Sequence, residues 1–245
     1  MRLLASVSYK GTAYFGWQKQ PNAISVQEVI ERELSKYFGN TPITIYGAGR
    51  TDAGVHAFGQ KFHFDVDVDE LDIDRFIYSI NSMLPDDIKI EDVEEVDPSF
   101  HARFSATSKV YTYCIFQQSK DPFIYDTSYL HPTKIDVDKL RETLTYFIGE
   151  HNFKNFTSKE EDKDNFIREI YDIVVSTSGD LIYITLKGNG FMRYMIRLII
   201  GTALYVCDKE LNPEFVLDYL DVDGPREIVP YKAPACGLTL VDVEY

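Results

Sequence analysis

The chain has few cysteines, no long apolar run and fewer basic than acidic residues. Its three cysteines have neither metal-ligand nor paired spacing, which excludes a disulfide framework and indicates a reducing compartment. The longest apolar stretch, residues 191–207, contains two arginines and is too short and too charged to span a bilayer. The first ten residues turn polar too soon for a signal peptide. We therefore expect a cytoplasmic protein without a membrane partner.

The shortage of basic residues argues at first against a nucleic-acid ligand. The formal net charge is −14, and binding to phosphates needs lysine and arginine. The charge is unevenly distributed, however, because residues 1–63 contain seven basic and four acidic side chains, whereas acidic residues concentrate in 65–74 and 86–97. Locally basic segments therefore exist on an acidic chain, and net charge alone does not exclude RNA.

Helix and strand signals alternate along the chain. Five helices are predicted: one after the capping-box sequence that starts at Ser25, one after Asp72, one after Asp136, one over residues 191–207 and a short one after Asn212. Apolar and alternating segments predict eight strands. These strands are 3–9, 43–46, 60–66, 88–96, 110–117, 166–176, 181–187 and 238–244.

The order of these elements predicts the fold class. The first hundred residues give β-α-β-β-α-β, and residues from 108 onward give a similar order with one extra helix, so the split β-α-β pattern occurs twice. We predict an α/β (α+β) protein of two ferredoxin-like halves, each with helices on one face of a mostly antiparallel sheet. Residues 1–104 form the first domain and 105–245 the second. A cleft between the halves is the expected ligand site.

A glycine-rich loop at residues 46–57 holds the most informative carboxylate, Asp52. Three glycines there allow positive φ and close approach to a ligand, and the loop also contains Arg50 and His56. Asp52 is a candidate nucleophile, metal ligand or capping residue. A metal site would recruit histidines, yet no second cluster of acidic residues and histidines exists in the sequence, so we expect no metal. A nucleophilic aspartate must be ionised, and a nearby arginine would keep its pKa low.

Arg197 is the best candidate for that partner arginine. It lies among apolar residues and shares a helix face with Arg193, four positions earlier, although two arginines at this spacing are also typical of a solvated helix face. Tyr111 is a third candidate, since it belongs to an alternating strand on which inward tyrosines are usually core residues.

Five segments together resemble the tRNA pseudouridine synthase A family. Residues 49–57 reproduce its Gly-Arg-Thr-Asp-Ala-Gly-Val-His-Ala motif without a break, and residues 188–197 resemble its Gly-x-Gly-Phe-x-x-x-Met-x-Arg motif. Tyrosine stands at position 194, where the family often has histidine. Residues 9–21, residues 100–113 with the Lys-x-Tyr-x-Tyr pattern, and residues 233–238 also match. The resemblance covers essentially the whole chain.

This resemblance implies an isomerase that converts uridine to pseudouridine at positions 38–40 of the tRNA anticodon stem-loop. Asp52 would attack covalently, at the sugar C1′ or the base C6, and Arg197 would pair with it. Tyr111 would stack on the flipped base and lie near the atoms that exchange a proton. Arg50 would help to occupy the space of the flipped nucleotide, and His56 would also bind substrate. Neither cofactor nor metal is implied, and family members work as homodimers.

Two other interpretations compete with this one. Split β-α-β domains often bind RNA without catalysis, but a non-catalytic RNA-binding module has no use for a sheltered carboxylate beside phosphates. A nucleotide-binding enzyme could use the glycine loop as a phosphate cradle. The loop lacks the following Gly-Lys-Ser/Thr, and Asp52 at its centre would repel phosphate.

Overall fold

The strands and helices follow the predicted order closely. The computed structural model describes residues 1–117, 121–158 and 165–245. The α-helices are α1 (Val26–Tyr37), α2 (Ile73–Met83), α3 (Val137–Thr145) and α4 (Met195–Asp208). The strands are β1 (Arg2–Tyr9), β2 (Tyr46–Gly47), β3 (His56–Asp65), β4 (Ile88–Val96), β5 (Ser108–Phe116), β6 (Tyr129–Leu130), β7 (Gly149–Asn152), β8 (Ile167–Ser178), β9 (Leu181–Gly188) and β10 (Leu238–Glu244).

Three helices begin at the side chains that the sequence indicates. The Ser25 hydroxyl accepts a hydrogen bond from the Glu28 amide at the start of α1. Asp72 and Asp136 accept bonds from first-turn amides of α2 and α3. Each oxygen satisfies a helical donor that has no partner within its own helix, so these starts are fixed locally.

The last two predicted helices differ from expectation. Helix α4 begins at Met195 rather than near residue 191, because Tyr194 adopts a left-handed conformation with φ of 64° that interrupts the helix. The short helix after Asn212 is a 3₁₀ helix over Pro213–Asp218, and the Asn212 side chain caps it as expected.

The first compact unit comprises Met1–Thr107 and Thr239–Tyr245. Its strand order is β4-β1-β3-β10, and β2 also pairs with β3. Strand β1 is antiparallel to both of its neighbours, while β10 joins β3 in parallel through two residue pairs. Because β1 lies between β3 and β4, this order matches the split β-α-β arrangement. Side chains of β3 and α2, among them Phe62, Phe64 and Phe76, form its buried core.

The second compact unit comprises Ser108–Leu238. Its strands run β5-β9-β8-β7 with antiparallel neighbours, and β6 joins β5 in parallel. Helices α3 and α4 pack on each other, and α3 also contacts β8. The predicted α/β class with mostly antiparallel pairing is confirmed. The division at 104/105 and the cleft between the halves stay predictions, and β10, predicted within the second half, lies almost wholly in the first compact unit.

Candidate active site

The Asp52 loop is a tight connection between β2 and β3. The Val55 amide donates to the Asp52 carbonyl at 3.1 Å, and Gly54 takes a left-handed conformation with φ of 78° to complete this turn. Asp52 is half-buried and Arg50 is exposed. The backbone of the turn therefore presents the carboxylate from a fixed position in the first unit.

The segment at residues 9–17 anchors this turn. The Trp17 amide donates to the Thr51 carbonyl at 3.1 Å, and the buried Thr51 hydroxyl is 2.8 Å from the Tyr9 hydroxyl. On the other side of Asp52, the Gly54 amide donates to the Tyr14 carbonyl at 3.3 Å. Residues on both sides of the carboxylate are thus held by one segment, which gives the opening motif of the chain a structural role.

Two glycines make this close packing possible. A Cβ atom added to Gly11 would lie 2.0 Å from the Val55 carbonyl oxygen, and one added to Gly16 would lie 2.6 Å from the Thr51 carbonyl oxygen. Both obstacles are backbone atoms, which cannot rotate out of the way. Any larger residue at these positions would push the Asp52 loop away from its support.

His56 supports the same contact from inside the fold. The residue is 5% exposed, and its Nδ1 accepts a hydrogen bond from the Gly11 amide at 3.0 Å. A ring nitrogen that accepts a bond carries no proton, so the remaining ring proton of a neutral His56 lies on Nε2. His56 therefore links the Gly11 segment to the start of β3, and its predicted substrate-binding role stays a prediction.

Two polar residues of α1, Gln27 and Glu31, hold the chain before the loop. The Gln27 side-chain amide donates to the Ile45 backbone carbonyl at 3.1 Å, and the Ile45 backbone amide donates to the Glu31 carboxylate at 3.2 Å. Lys19 forms an ion pair with Glu31 at 3.1 Å. Sequence reasoning missed this pair. The available signal was two polar residues four positions apart in line with the apolar residues of the helix, where a buried polar group needs a hydrogen-bond partner.

A second histidine, His63, lies beneath the first residue of the loop. Its ring stacks on Tyr46 at 5.0 Å between centroids, and its Nδ1 accepts a bond from the Ala102 amide. Burial lowers the pKa of His63 to about 4. Among the described ranges, no cluster of three histidine, cysteine, aspartate or glutamate side chains is arranged to hold a metal ion.

Arg197 is fixed in the second unit by a reciprocal pair of hydrogen bonds. Its Nε donates to the Ala233 carbonyl at 2.8 Å, and the Ala233 amide donates to the Arg197 carbonyl at 2.9 Å. One turn further along α4, a Cβ on Gly201 would lie 2.6 Å from the Tyr231 carbonyl oxygen. The segment at residues 231–233 therefore lies directly against the first turns of α4 and sets the direction of the guanidinium group.

Tyr111 lies on β5 opposite Leu186 of β9. The residue is 7% exposed, and its ring packs edge-on against that of Phe191 at 5.4 Å between centroids, with an interplanar angle of 81°. Residues two apart on a strand share a face, so Tyr113 lies on the same side of β5. The Tyr113 hydroxyl donates to the Pro234 carbonyl at 2.9 Å, and burial raises the pKa of this hydroxyl.

The segment at residues 233–237 therefore contacts both α4, which carries Arg197, and β5, which carries Tyr111. It accepts hydrogen bonds from Arg197 and Tyr113, and a Cβ on Gly237 would lie 2.7 Å from the Tyr113 ring. Within that unit, the closing motif connects the start of α4 with β5. Asp52 and Arg50 belong to the other unit.

The model of the family described as tRNA pseudouridine synthase matches residues 5–105 and 144–245. The chain belongs to the tRNA pseudouridine synthase family. This family consists of isomerases, so the chain is assigned to that class of enzyme. None of the helices in the described part of the chain is long and apolar enough to span a membrane.

Individual relatives extend the similarity over the whole chain. A tRNA pseudouridine synthase A of Brevibacillus brevis is 39% identical over 245 residues, which cover 100% of this chain and 99% of that protein. Proteins of the same description from Geobacillus sp. and Aeromonas hydrophila are 38% and 39% identical, with 100% of this chain covered and 98% and 90% of theirs. A solved chain of a Cbf5-Nop10-Gar1 complex shares 10% identity with a TM-score of 0.37, over 83% of this chain and 54% of its own, a likeness too weak for an argument.

Proposed function

We propose that this protein isomerises uridine to pseudouridine at positions 38–40 in the anticodon stem-loop of tRNA, with Asp52 as nucleophile. The observation that carries the proposal is the unbroken motif at residues 49–57, whose aspartate sits in a turn anchored on both sides. Family membership and relatives described as tRNA pseudouridine synthase A support the same reaction and substrate.

Covalent attack by Asp52 divides the isomerisation into easier steps. If the carboxylate attacks C1′, the N1–C1′ bond breaks, the uracil rotates, and C5 bonds to C1′ as the carboxylate leaves. If it attacks C6, the carboxylate adds across the C5–C6 double bond, the N1–C1′ bond breaks, the base rotates and C5 bonds to C1′, and the carboxylate then leaves C6 as the double bond is restored. In either case C5 loses a proton and N1 gains one. Substrate and product are isomers, so the reaction consumes no cofactor, and we propose that it needs no metal.

Arg197 and Tyr111 act with Asp52 in this proposal. The Arg197 guanidinium pairs with the carboxylate and keeps it ionised, and its anchoring to Ala233 supports a fixed orientation. Tyr111 stacks on the flipped uracil. The edge-on contact with Phe191 supports a ring plane that stays fixed when the base loses its neighbours in the stem.

Arg50 and His56 have lesser roles in the proposal. Arg50 is exposed two residues before Asp52, a position suited to filling the space of the flipped nucleotide or to contacting its phosphate. His56 would bind substrate in addition to accepting the bond from Gly11.

The proposal also includes a homodimer that binds tRNA across both subunits in the cytoplasm. Two copies would combine their basic segments, such as residues 1–63 with seven basic and four acidic side chains, on a chain of net charge −14.

The test is pseudouridine formation in unmodified tRNA transcripts, measured by nucleoside analysis without added metal or cofactor. Wild-type protein should form pseudouridine in the anticodon stem-loop, and Asp52→Ala should form none. The alternative, a non-catalytic RNA-binding module, is favoured if folded wild-type protein binds the transcripts but leaves every uridine unchanged.

A further inference from the structure

Three cations surround the ring of Tyr194, at the start of α4. The guanidinium carbons of Arg193 and Arg197 lie 4.9 and 5.4 Å from the ring centroid, and Nζ of Lys232 lies 4.4 Å from it. Because all three lie within 5.4 Å of one point, no two can be separated by more than twice that distance. Three positive charges are thus concentrated around one aromatic ring.

Two of these charges have no carboxylate partner among the described residues. Arg193 donates to the Tyr194 hydroxyl at 3.2 Å, and the contact of Lys232 within the described part of the chain is the one with the Tyr194 ring. Both side chains are exposed. A cation–π contact at an exposed site is weak, so the ring does not replace an anionic partner for these charges. The two exposed charges of Arg193 and Lys232, side by side on a chain of net charge −14, favour an anionic ligand.

The backbone fixes the members of the cluster. The Arg193 carbonyl accepts bonds from the Thr157 hydroxyl and the Ser158 amide, at 3.0 and 3.3 Å. Lys232 immediately precedes Ala233, which is bonded to Arg197. Tyr194 holds a left-handed conformation that a tyrosine adopts only at an energetic cost, and such strain concentrates at binding and active sites.

We propose that Arg193 and Lys232, together with Arg197, bind one phosphate of the tRNA backbone over the Tyr194 ring. This inference rests on the proposed function, because it takes tRNA as the ligand. The arginine fork and the compact lysine ammonium are complementary donors for phosphate oxygens. The positive end of the fourteen-residue helix α4 adds to their attraction. Since Arg197 is also the proposed partner of Asp52, the bound phosphate belongs close to the reacting nucleotide.

The salt dependence of tRNA binding tests this site. Affinities of wild type, Arg193→Gln and Lys232→Gln for an unmodified transcript are measured over a series of salt concentrations. Each variant should bind more weakly, and the slope of log K against log salt should fall in magnitude by about 0.7–1. Lys209→Gln is the matched control. It removes the same charge from an exposed site at the opposite end of α4, roughly 20 Å away, and should keep the wild-type slope.

Charge-preserving variants separate phosphate binding from a structural role. Arg193→Lys and Lys232→Arg should keep the wild-type slope. The inference is overturned if the glutamine variants keep the wild-type slope, if Lys209→Gln lowers it equally, if the charge-preserving variants lose binding as the glutamine variants do, or if wild type does not bind tRNA. Pseudouridine formation is scored on the same wild-type preparation. If no pseudouridine forms while the slopes of log K against log salt change as predicted, the proposed function is wrong and the phosphate site remains supported.

Discussion

Arg197 and Ala233 exchange hydrogen bonds in both directions, from the guanidinium Nε to the Ala233 carbonyl and from the Ala233 amide to the Arg197 carbonyl. Through these two bonds, Ala233 holds both the side chain and the backbone of Arg197, in the first turn of α4. It gives a half-buried guanidinium a defined direction before any substrate arrives. Such preorganisation is what the proposed role of Arg197, as partner of the Asp52 carboxylate, requires.

Replacement of Arg197 by lysine should abolish this orientation while it keeps the charge. Lysine has no Nε donor and no planar fork, so the Ala233 carbonyl loses its partner. We expect pseudouridine formation to fall by roughly 10²-fold and the free energy of unfolding to fall by about 1–3 kcal/mol. Transcript assays and urea unfolding measure the two effects. Arg141→Lys, at an exposed arginine of α3 paired with Asp138, is the control and should change neither. Full activity in Arg197→Lys would contradict the account.

Gly11→Ala should displace the Asp52 loop. The added Cβ would lie 2.0 Å from the Val55 carbonyl oxygen, so the backbone must move and the Gly11–His56 bond must weaken. We expect the free energy of unfolding to fall by about 1–3 kcal/mol, the range typical of overpacking. We also expect a loss of pseudouridine formation, because the Asp52 loop moves. In urea unfolding, Gly190→Ala is the control for stability, because a Cβ there would lie 4.0 Å from the Arg168 Nε, an ordinary van der Waals contact. A Gly11→Ala protein as stable as wild type would show that this contact can relax without cost.

His56 variants distinguish support of the fold from substrate binding. His56→Leu removes the acceptor for the buried Gly11 amide and should cost about 1–3 kcal/mol of stability. His56→Asn can place an oxygen near the position of Nδ1 and should recover part of this loss. Unfolding measurements and KM for tRNA are compared for both variants. A raised KM at unchanged stability would assign His56 to substrate binding alone.

The depressed pKa of His63 should make stability depend on pH between about 4 and 6.5. In this range the unfolded chain binds a proton on His63 and the folded chain does not, so the free energy of unfolding falls as the pH is lowered. Urea unfolding at several pH values measures the slope. His63→Leu should reduce the slope in this window, since it removes the titrating group. An equal slope in both proteins would show that burial does not hold His63 neutral.

Much of the fold could be predicted from local signals. Ser25, Asp72 and Asp136 cap helices where the sequence indicates, because a capping side chain and its amide lie within three residues of each other. The start of α4 could not be predicted in this way. Apolar periodicity carries no information about backbone φ, and tyrosine rarely adopts the left-handed conformation found at Tyr194. The sequence therefore gives no signal that the helix is interrupted there.

The strand predicted at residues 43–46 shows why long-range partners matter. Ile43 and Ile45 are buried in strand-like alternation, but the observed strand is only Tyr46–Gly47. The Ile45 amide and carbonyl bond to side chains of Glu31 and Gln27 instead of to a neighbouring strand. Alternating apolar residues indicate which side chains are buried, but they do not indicate which groups form hydrogen bonds with the backbone amides and carbonyls. In the candidate site, the motif predicts Asp52 as the nucleophile, whereas the hydrogen bond from Gly11 to His56 that supports its loop could be seen only in the structure.

The most direct test of the central claim is tritium release from C5 of uridine in a labelled, unmodified tRNA, since pseudouridine formation must break that C–H bond. Wild type is compared with Asp52→Asn, which keeps the size of the side chain and removes its nucleophilic carboxylate. Both proteins are first shown to fold and to bind the tRNA. We predict release by wild type and none by Asp52→Asn. Release at the wild-type rate by Asp52→Asn would contradict the assignment of Asp52 as the nucleophile.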